Sequence, residues 1–144
     1  MKSDFDYSSV PYDFAHCFIE QCPLATECLR HQVALHVSPQ CETLTIVNPA
    51  IPAHGTNSCP YFKTDKLVHY ASGISSLLNN LIYAEAISIK QRLLDHFGRN
   101  TYYRFKRKER LISPSEQAYI SQLFRDKGIT EEPKYDEYVD QYDW

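Results

Sequence analysis

Three cysteines at C-x4-C-x5-C spacing, Cys17, Cys22 and Cys28, with a fourth at Cys59, constrain this chain more than any other feature. Two of them precede proline, as Cys22-Pro23 and Cys59-Pro60. Thiols grouped this way, behind an N-terminus with no apolar secretory segment, read as metal ligands rather than disulfide partners. A tetrahedral thiolate site gathers its first ligands on short loops and is closed by a distant one. Here three ligands fall within 12 residues, and a turn-rich stretch over 49–60 delivers the fourth. The spacing is looser than the C-x2-C knuckles of structural zinc. Proline after cysteine also occurs in the cluster-binding runs of ferredoxins. Zinc and a [4Fe–4S] cluster are therefore both open as cofactors. Cys41 is a spare that could replace one of the four, as could His16, His31 or His54. The plainer alternative is that the thiols are small buried hydrophobes. No cysteine nucleophile with a partnered His and Asn or Asp can be singled out.

The chain has 144 residues, 43% of them hydrophobic, enough for a real core. Five cysteines, an odd number, fit a disulfide framework poorly, and a cytoplasmic location with no membrane partner is expected. The net charge of −3 excludes a polyanion binder by bulk charge alone. Charge is unevenly placed, however. From Lys90 to Arg110 eight Lys and Arg face only Asp95 and Glu109, whereas from Arg125 to Trp144 seven acids face three bases.

Apolar spacing predicts a helix from Pro23 to His36, another from Thr64 or Asp65 through Leu81, and a third from Tyr83 to Phe97 stopped by Gly98. A short helix from Thr101 to Lys106 follows, capped by Asn100. Ser113-Pro114-Ser115-Glu116 supplies an N-cap, a first-turn proline and a capping-box glutamate, and Gly128-Ile129 ends that helix in a Schellman turn. Thr43 to Val47 is a short β-prone run. The acidic tail 130–144 carries Tyr135, Tyr138, Tyr142 and Trp144, too many aromatics for a disordered tail, and is expected to lie along the folded body.

The basic segment 99–110 sits between a glycine turn and a capped helix, the layout of a helix-turn-helix. Arg99, Asn100 and Thr101 would lie near phosphate or base edges, and Arg104, Lys106, Arg107, Lys108 and Arg110 could neutralise phosphates. A solvated surface is the plainer reading of such a charge run. The segment Arg99 to Arg104, followed by Ile112-Ser113-Pro114-Ser115-Glu116, resembles the short helix-turn-helix units of small Bacteroidales regulators.

The whole chain resembles an uncharacterised Bacteroidales family of unknown function. The shared elements stand at Val10 to Phe18, Gln21 to Ala25, Cys59 to Phe62, His96 to Arg104 and Tyr142 to Trp144. The resemblance implies an intracellular bacterial protein and transfers no activity.

These features lead to a mainly α fold with minor β. A Cys-rich N-terminal module (1–62) is expected to pack on a helical, helix-turn-helix-like C-terminal module (63–144). The first expectation for function is a metal-containing nucleic-acid-binding regulator, with DNA as partner. The alternatives are an iron–sulfur redox or iron sensor, and a protein-interaction adaptor that uses the aromatic acidic tail. An enzyme is the least supported class, because no phosphate loop, metalloprotease helix or nucleophile elbow is present.

Overall fold

A computed structural model describes residues 1, 3–51 and 57–144. His54, one of the candidate substitute ligands, lies outside them. The chain divides into two compact units, one formed by Met1–Leu67 with Tyr142–Trp144, the other by Val68–Gln141.

In the first unit, regular structure is sparse. A 3-10 turn over Tyr7–Ser9 precedes a second at Ala25–Glu27 and a single six-residue helix, α1 (Leu29–Ala34). Leu29 and Val33, one helical turn apart, are fully buried and meet Phe14 and Tyr142 in a small core. Phe5, Tyr7, Val10, Leu67 and Trp144 pack around it. The rings meet edge-on, Phe14 and Trp144 at 5.1 Å and Phe5 and Tyr142 at 5.8 Å, a geometry that matches positive ring edges to negative faces. Asp65 takes the Met1 ammonium in a buried ion pair.

The second unit carries the larger core. Helix α2 (Tyr83–Phe97) contributes Ile89 and Leu93, α3 (Arg99–Lys106) contributes Tyr102 and Phe105, and α4 (Pro114–Asp126) contributes Ile120, Leu123 and Phe124. Ala71 and Ile112, both fully buried, exchange two main-chain hydrogen bonds of 3.0 and 2.8 Å beneath these side chains. Strand β1 (Leu67–Ser72) pairs with β2 (Glu137–Tyr142) in a two-stranded sheet. His69 meets Asp140 while the Asp136 N–H donates to the Gly73 carbonyl, so the strands run antiparallel.

The local signals at α4 act as their chemistry requires. Ser113 Oγ accepts from the Glu116 N–H, and the Glu116 carboxylate accepts from the Ser113 N–H at 2.9 Å. Such a reciprocal cap is worth about 1 kcal/mol. Gly128 takes φ +74°, and the Ile129 N–H closes back on the Phe124 carbonyl at 3.0 Å.

The mainly α expectation fails. The described residues are 35% helical and 12% strand, a mixed α/β fold with much irregular backbone. The helix expected from Pro23 to His36 is broken at Cys28, which is extended (φ −93°, ψ 115°) and bridges antiparallel to Thr64. The helix expected through Val68 and Leu81 is instead β1 followed by turns. Gly73, at φ +81°, cannot continue either element, and the partner strand comes from the distant tail. Among the described residues the β-prone run 43–47 forms a single bridge, between Ile46 and His16.

The helix-turn-helix expectation fails with it. That motif joins its helices by a turn of about three to four residues. One residue, Gly98, separates α2 from α3, and an irregular segment over 107–113, with Lys108 at φ +60°, separates α3 from α4. Neither junction has the motif's spacing. Asn100 does not cap α3 either, because the helix begins one residue earlier, behind Gly98. Among the described residues, no helix is long and apolar enough to cross a membrane.

Candidate metal centre and basic surface

The two Cys-Pro pairs build the same turn twice. The Cys22 carbonyl accepts from the Ala25 N–H at 3.0 Å, and the Cys59 carbonyl accepts from the Phe62 N–H at 3.1 Å. In each, cysteine opens a four-residue turn and proline holds the second position, where its fixed φ is already correct. Cys28 ends the 3-10 turn and caps α1, with its carbonyl accepting from the N–H groups of His31 and Gln32. Cys17 is fixed by its own N–H, which donates to the Arg30 carbonyl at 3.1 Å.

These four positions bring Cys17, Cys22, Cys28 and Cys59 to the wall of one cavity. The enclosed space is about 20 Å³, room for one water-sized body. Ile19, Leu24, Ala25, Val47 and Phe62 supply the apolar part of the lining, and Arg30, His31 and Tyr61 complete it. All four thiols are free of disulfides. Burial pushes the Cys17 thiol up from its ordinary value, and the neighbouring Cys28, Cys22 and Cys59 push the same way, while the Ile19 N–H at its sulfur opposes them. A thiol with three further sulfurs close enough to act on it is the raw material of a soft-metal site. Among the described residues, no three His, Cys, Asp or Glu side chains are set as they stand to grip an ion. The sulfurs share a cavity without forming a closed ligand shell.

The substitute ligands separate clearly. Cys41 is exposed and away from this cavity, with its thiol donating to the Thr43 carbonyl at 3.3 Å. His16 is buried in a different chain of contacts, between the Tyr7 hydroxyl at 2.8 Å and the Thr45 carbonyl at 3.3 Å. His31 does line the cavity. Its Nδ1 lies 3.1 Å from the Cys17 carbonyl, and since a carbonyl only accepts, Nδ1 carries the proton and Nε2 is the basic nitrogen.

Arg30 also reaches this wall, a role the spacing of cysteines alone could not signal. Its Nε donates to the Tyr61 carbonyl and its Nη1 to the Ala15 carbonyl, both at 2.9 Å, while the guanidinium lies 4.7 Å from the centre of the Phe14 ring. One side chain therefore ties the segment before Cys17 to the segment after Cys59.

The basic segment is partly neutralised. Arg107 forks onto Glu109 at 2.7 and 3.1 Å, Lys108 pairs with Glu137 at 3.0 Å, and Arg110 pairs with Glu116 at 2.7 Å while covering the Phe105 ring. The Arg107 guanidinium holds the Glu109 carboxyl below its ordinary range. Arg99 stacks on Tyr103 at 5.7 Å, and these two with Asn100 and Arg107 line an open surface depression. Arg104 and Lys106 are exposed and Thr101 is half-buried.

Neither a curated protein nor a solved structure matches the chain. A family model does match, over residues 1–144, and the chain belongs to that family, the family of unknown function DUF6078.

Proposed function

We propose that this is a metal-binding protein whose N-terminal unit carries a four-cysteine centre formed by Cys17, Cys22, Cys28 and Cys59. One observation carries the reading: four thiols from separate stretches of the first unit line a single cavity. Among the described residues the thiols are not set as they stand to grip an ion, so metal binding has to draw their side chains together. Four sulfurs complete a tetrahedron and leave no open position, so the centre is structural rather than catalytic. Its role is to staple a unit whose central cluster, four buried side chains among the described residues, is thin for its length.

The test is a metal titration of the reduced protein with zinc against a chromophoric chelator. Wild type and Cys41→Ser bind tightly, whereas Cys22→Ser and Cys59→Ser lose at least tenfold in affinity. Equal binding by all four proteins would remove the reading.

A second reading, contact with a nucleic-acid backbone through α3, draws on the open depression lined by Arg99, Asn100 and Tyr103 and on the exposed Arg104 and Lys106. It has less support, because Arg107, Lys108 and Arg110 are held by acids. Three available cations would give a logarithmic salt slope of roughly −3 on duplex DNA. Absence of binding at low salt ends that reading. The adaptor alternative has less support still, because the tail is used by the fold as β2, with Glu137 and Asp140 paired to Lys108 and His69 and Tyr142 buried.

A further inference from the structure

We propose that the first unit carries a second binding site, an open pocket that takes a zwitterionic amino acid with an aromatic side chain. The site does not depend on the four-cysteine reading.

The walls are aromatic. The pocket measures about 380 Å³, within the usual range for small-molecule sites. Phe14 supplies a buried wall, and Trp144 stands against it with ring centres 5.1 Å apart and planes at 80°. Pro11 and Tyr61 extend the apolar surface. Two rings set edge to face offer a third ring both a stacking face and an edge. Trp144 is held in place by Lys63, whose ammonium donates to the Trp144 carbonyl at 3.0 Å.

The charges that line the same pocket decide what else the ligand carries. Lys63 is already spent. Besides Trp144, it donates to the Asp143 carbonyl at 2.9 Å and carboxylate at 3.2 Å, so its three donors are taken. Arg30 is not spent. Its Nε and Nη1 serve the Tyr61 and Ala15 carbonyls and fix the guanidinium plane, while Nη2 has no partner among the described residues. Asp13 also lines the pocket. It is exposed, and among the described residues its carboxylate has no hydrogen bond and no ion pair, with Arg30 or any other cation. One cation with donors to spare and one free anion thus share a pocket without pairing.

A ligand with both charges satisfies both groups. Its carboxylate takes the spare N–H donors of Arg30 in a charge-assisted hydrogen bond. Its ammonium faces Asp13, and its ring lies against Phe14 and Trp144. A simple anion would meet Asp13 with like charge, and a simple cation would meet Arg30 in the same way. A neutral aromatic would leave both charges unanswered.

The experiment is an NMR titration of the isotope-labelled full-length chain, followed at the indole N–H of Trp144, the sole tryptophan, and at the Arg30 Nε–H. The probes are L-phenylalanine, N-acetyl-L-phenylalanine without the ammonium, L-phenylalaninamide without the carboxylate, and L-alanine without the ring. Phenylalanine is expected to shift both signals saturably in the millimolar range or tighter. Because the charges are partly exposed, each of the other probes should bind about threefold weaker or worse. Asp13→Asn removes an exposed, unpaired side chain and leaves the rest of the spectrum unchanged. It should weaken phenylalanine by about threefold and leave N-acetylphenylalanine unaffected or tighter. No saturable shift with phenylalanine would overturn the proposal. So would equal affinity for all four probes, or an Asp13→Asn variant that binds phenylalanine as wild type does.

Discussion

Cys22 and Cys59 open turns of identical construction, each with a proline second and each closed by an N–H to the cysteine carbonyl from the third residue along, at 3.0 and 3.1 Å. The turns present both cysteines to one cavity with their backbones already fixed. If proline's role is to preset these turns, replacing it loosens the site without removing a sulfur. Pro23→Ala and Pro60→Ala should each weaken zinc binding several-fold while keeping its stoichiometry, as read by competitive titration. Unchanged affinity in both would mean the turns are set by other contacts.

Arg30 offers a sharper test of the frame, because it touches no metal ligand side chain in this account. Arg30→Lys keeps the charge but cannot donate to the Ala15 and Tyr61 carbonyls in the same fork. Loss of a supporting contact around a metal site typically costs 10- to 100-fold in affinity, and about tenfold is expected here. Circular dichroism of the variant should be unchanged. A variant that binds zinc as wild type would show that the brace is dispensable.

Thiol ionisation gives a pH prediction with a definite sign. Burial and the neighbouring sulfurs raise the Cys17 thiol above its ordinary 9.0. A raised folded-state value means the folded protein holds that proton more tightly than the unfolded chain. Its stabilising effect is complete below the ordinary thiol value and is lost as pH climbs through the folded one. Metal-free protein should therefore lose thermal stability as pH rises above 9.0, and Cys17→Ala should lose less. Zinc binding itself displaces thiol protons, so its affinity should rise with pH across the neutral range. An affinity independent of pH would count against thiolate ligands.

In the second unit, Gly73 carries a steric demand that Gly98 and Gly128 do not. Its φ is +81°, and a Cβ there would lie 2.8 Å from the Asp136 carboxyl carbon. That carboxylate accepts from the hydroxyls of Ser75 at 2.7 Å and Ser76 at 3.1 Å, so it has little freedom to retreat. Gly73→Ala should cost upwards of about 2 kcal/mol in urea unfolding. Gly98→Ala and Gly128→Ala meet open space and should cost about 1 kcal/mol each, from φ alone. Equal losses at all three positions would contradict the steric argument.

Tyr135 predicts a gain. Among the described residues its buried hydroxyl has no hydrogen-bond partner, and burial drives its ionisation far above the ordinary range. An unsatisfied buried hydroxyl costs about 1–3 kcal/mol, so Tyr135→Phe should leave stability unchanged or raise it by about 1 kcal/mol. A loss of that size would mean the hydroxyl makes a bond that this account lacks.

Sequence reading worked where a signal was local and complete. The capping box at Ser113 and Glu116 and the glycine end at Gly128 involve neighbours in the chain, and both formed. It failed where the deciding partner was remote. Nothing near Val68 to Ser72 announces that residues 137–142 will pair with them, so helical spacing looked sufficient. The same holds for Cys28, whose extended backbone answers to Thr64. Spacing alone singled out four cysteines, and the structure brings those four to one cavity while setting Cys41 and His16 apart. Arg30 escaped notice because its partners are main-chain carbonyls, which no residue pattern reveals. The basic run promised a docking helix because its acids, Glu116 and Glu137, are paired with it only in three dimensions.

The most direct measurement is X-ray absorption at the zinc edge of the zinc-loaded protein. A shell of four sulfurs at about 2.3 Å is predicted. A shell dominated by nitrogen or oxygen, or one with fewer than three sulfurs, would contradict a centre built from Cys17, Cys22, Cys28 and Cys59.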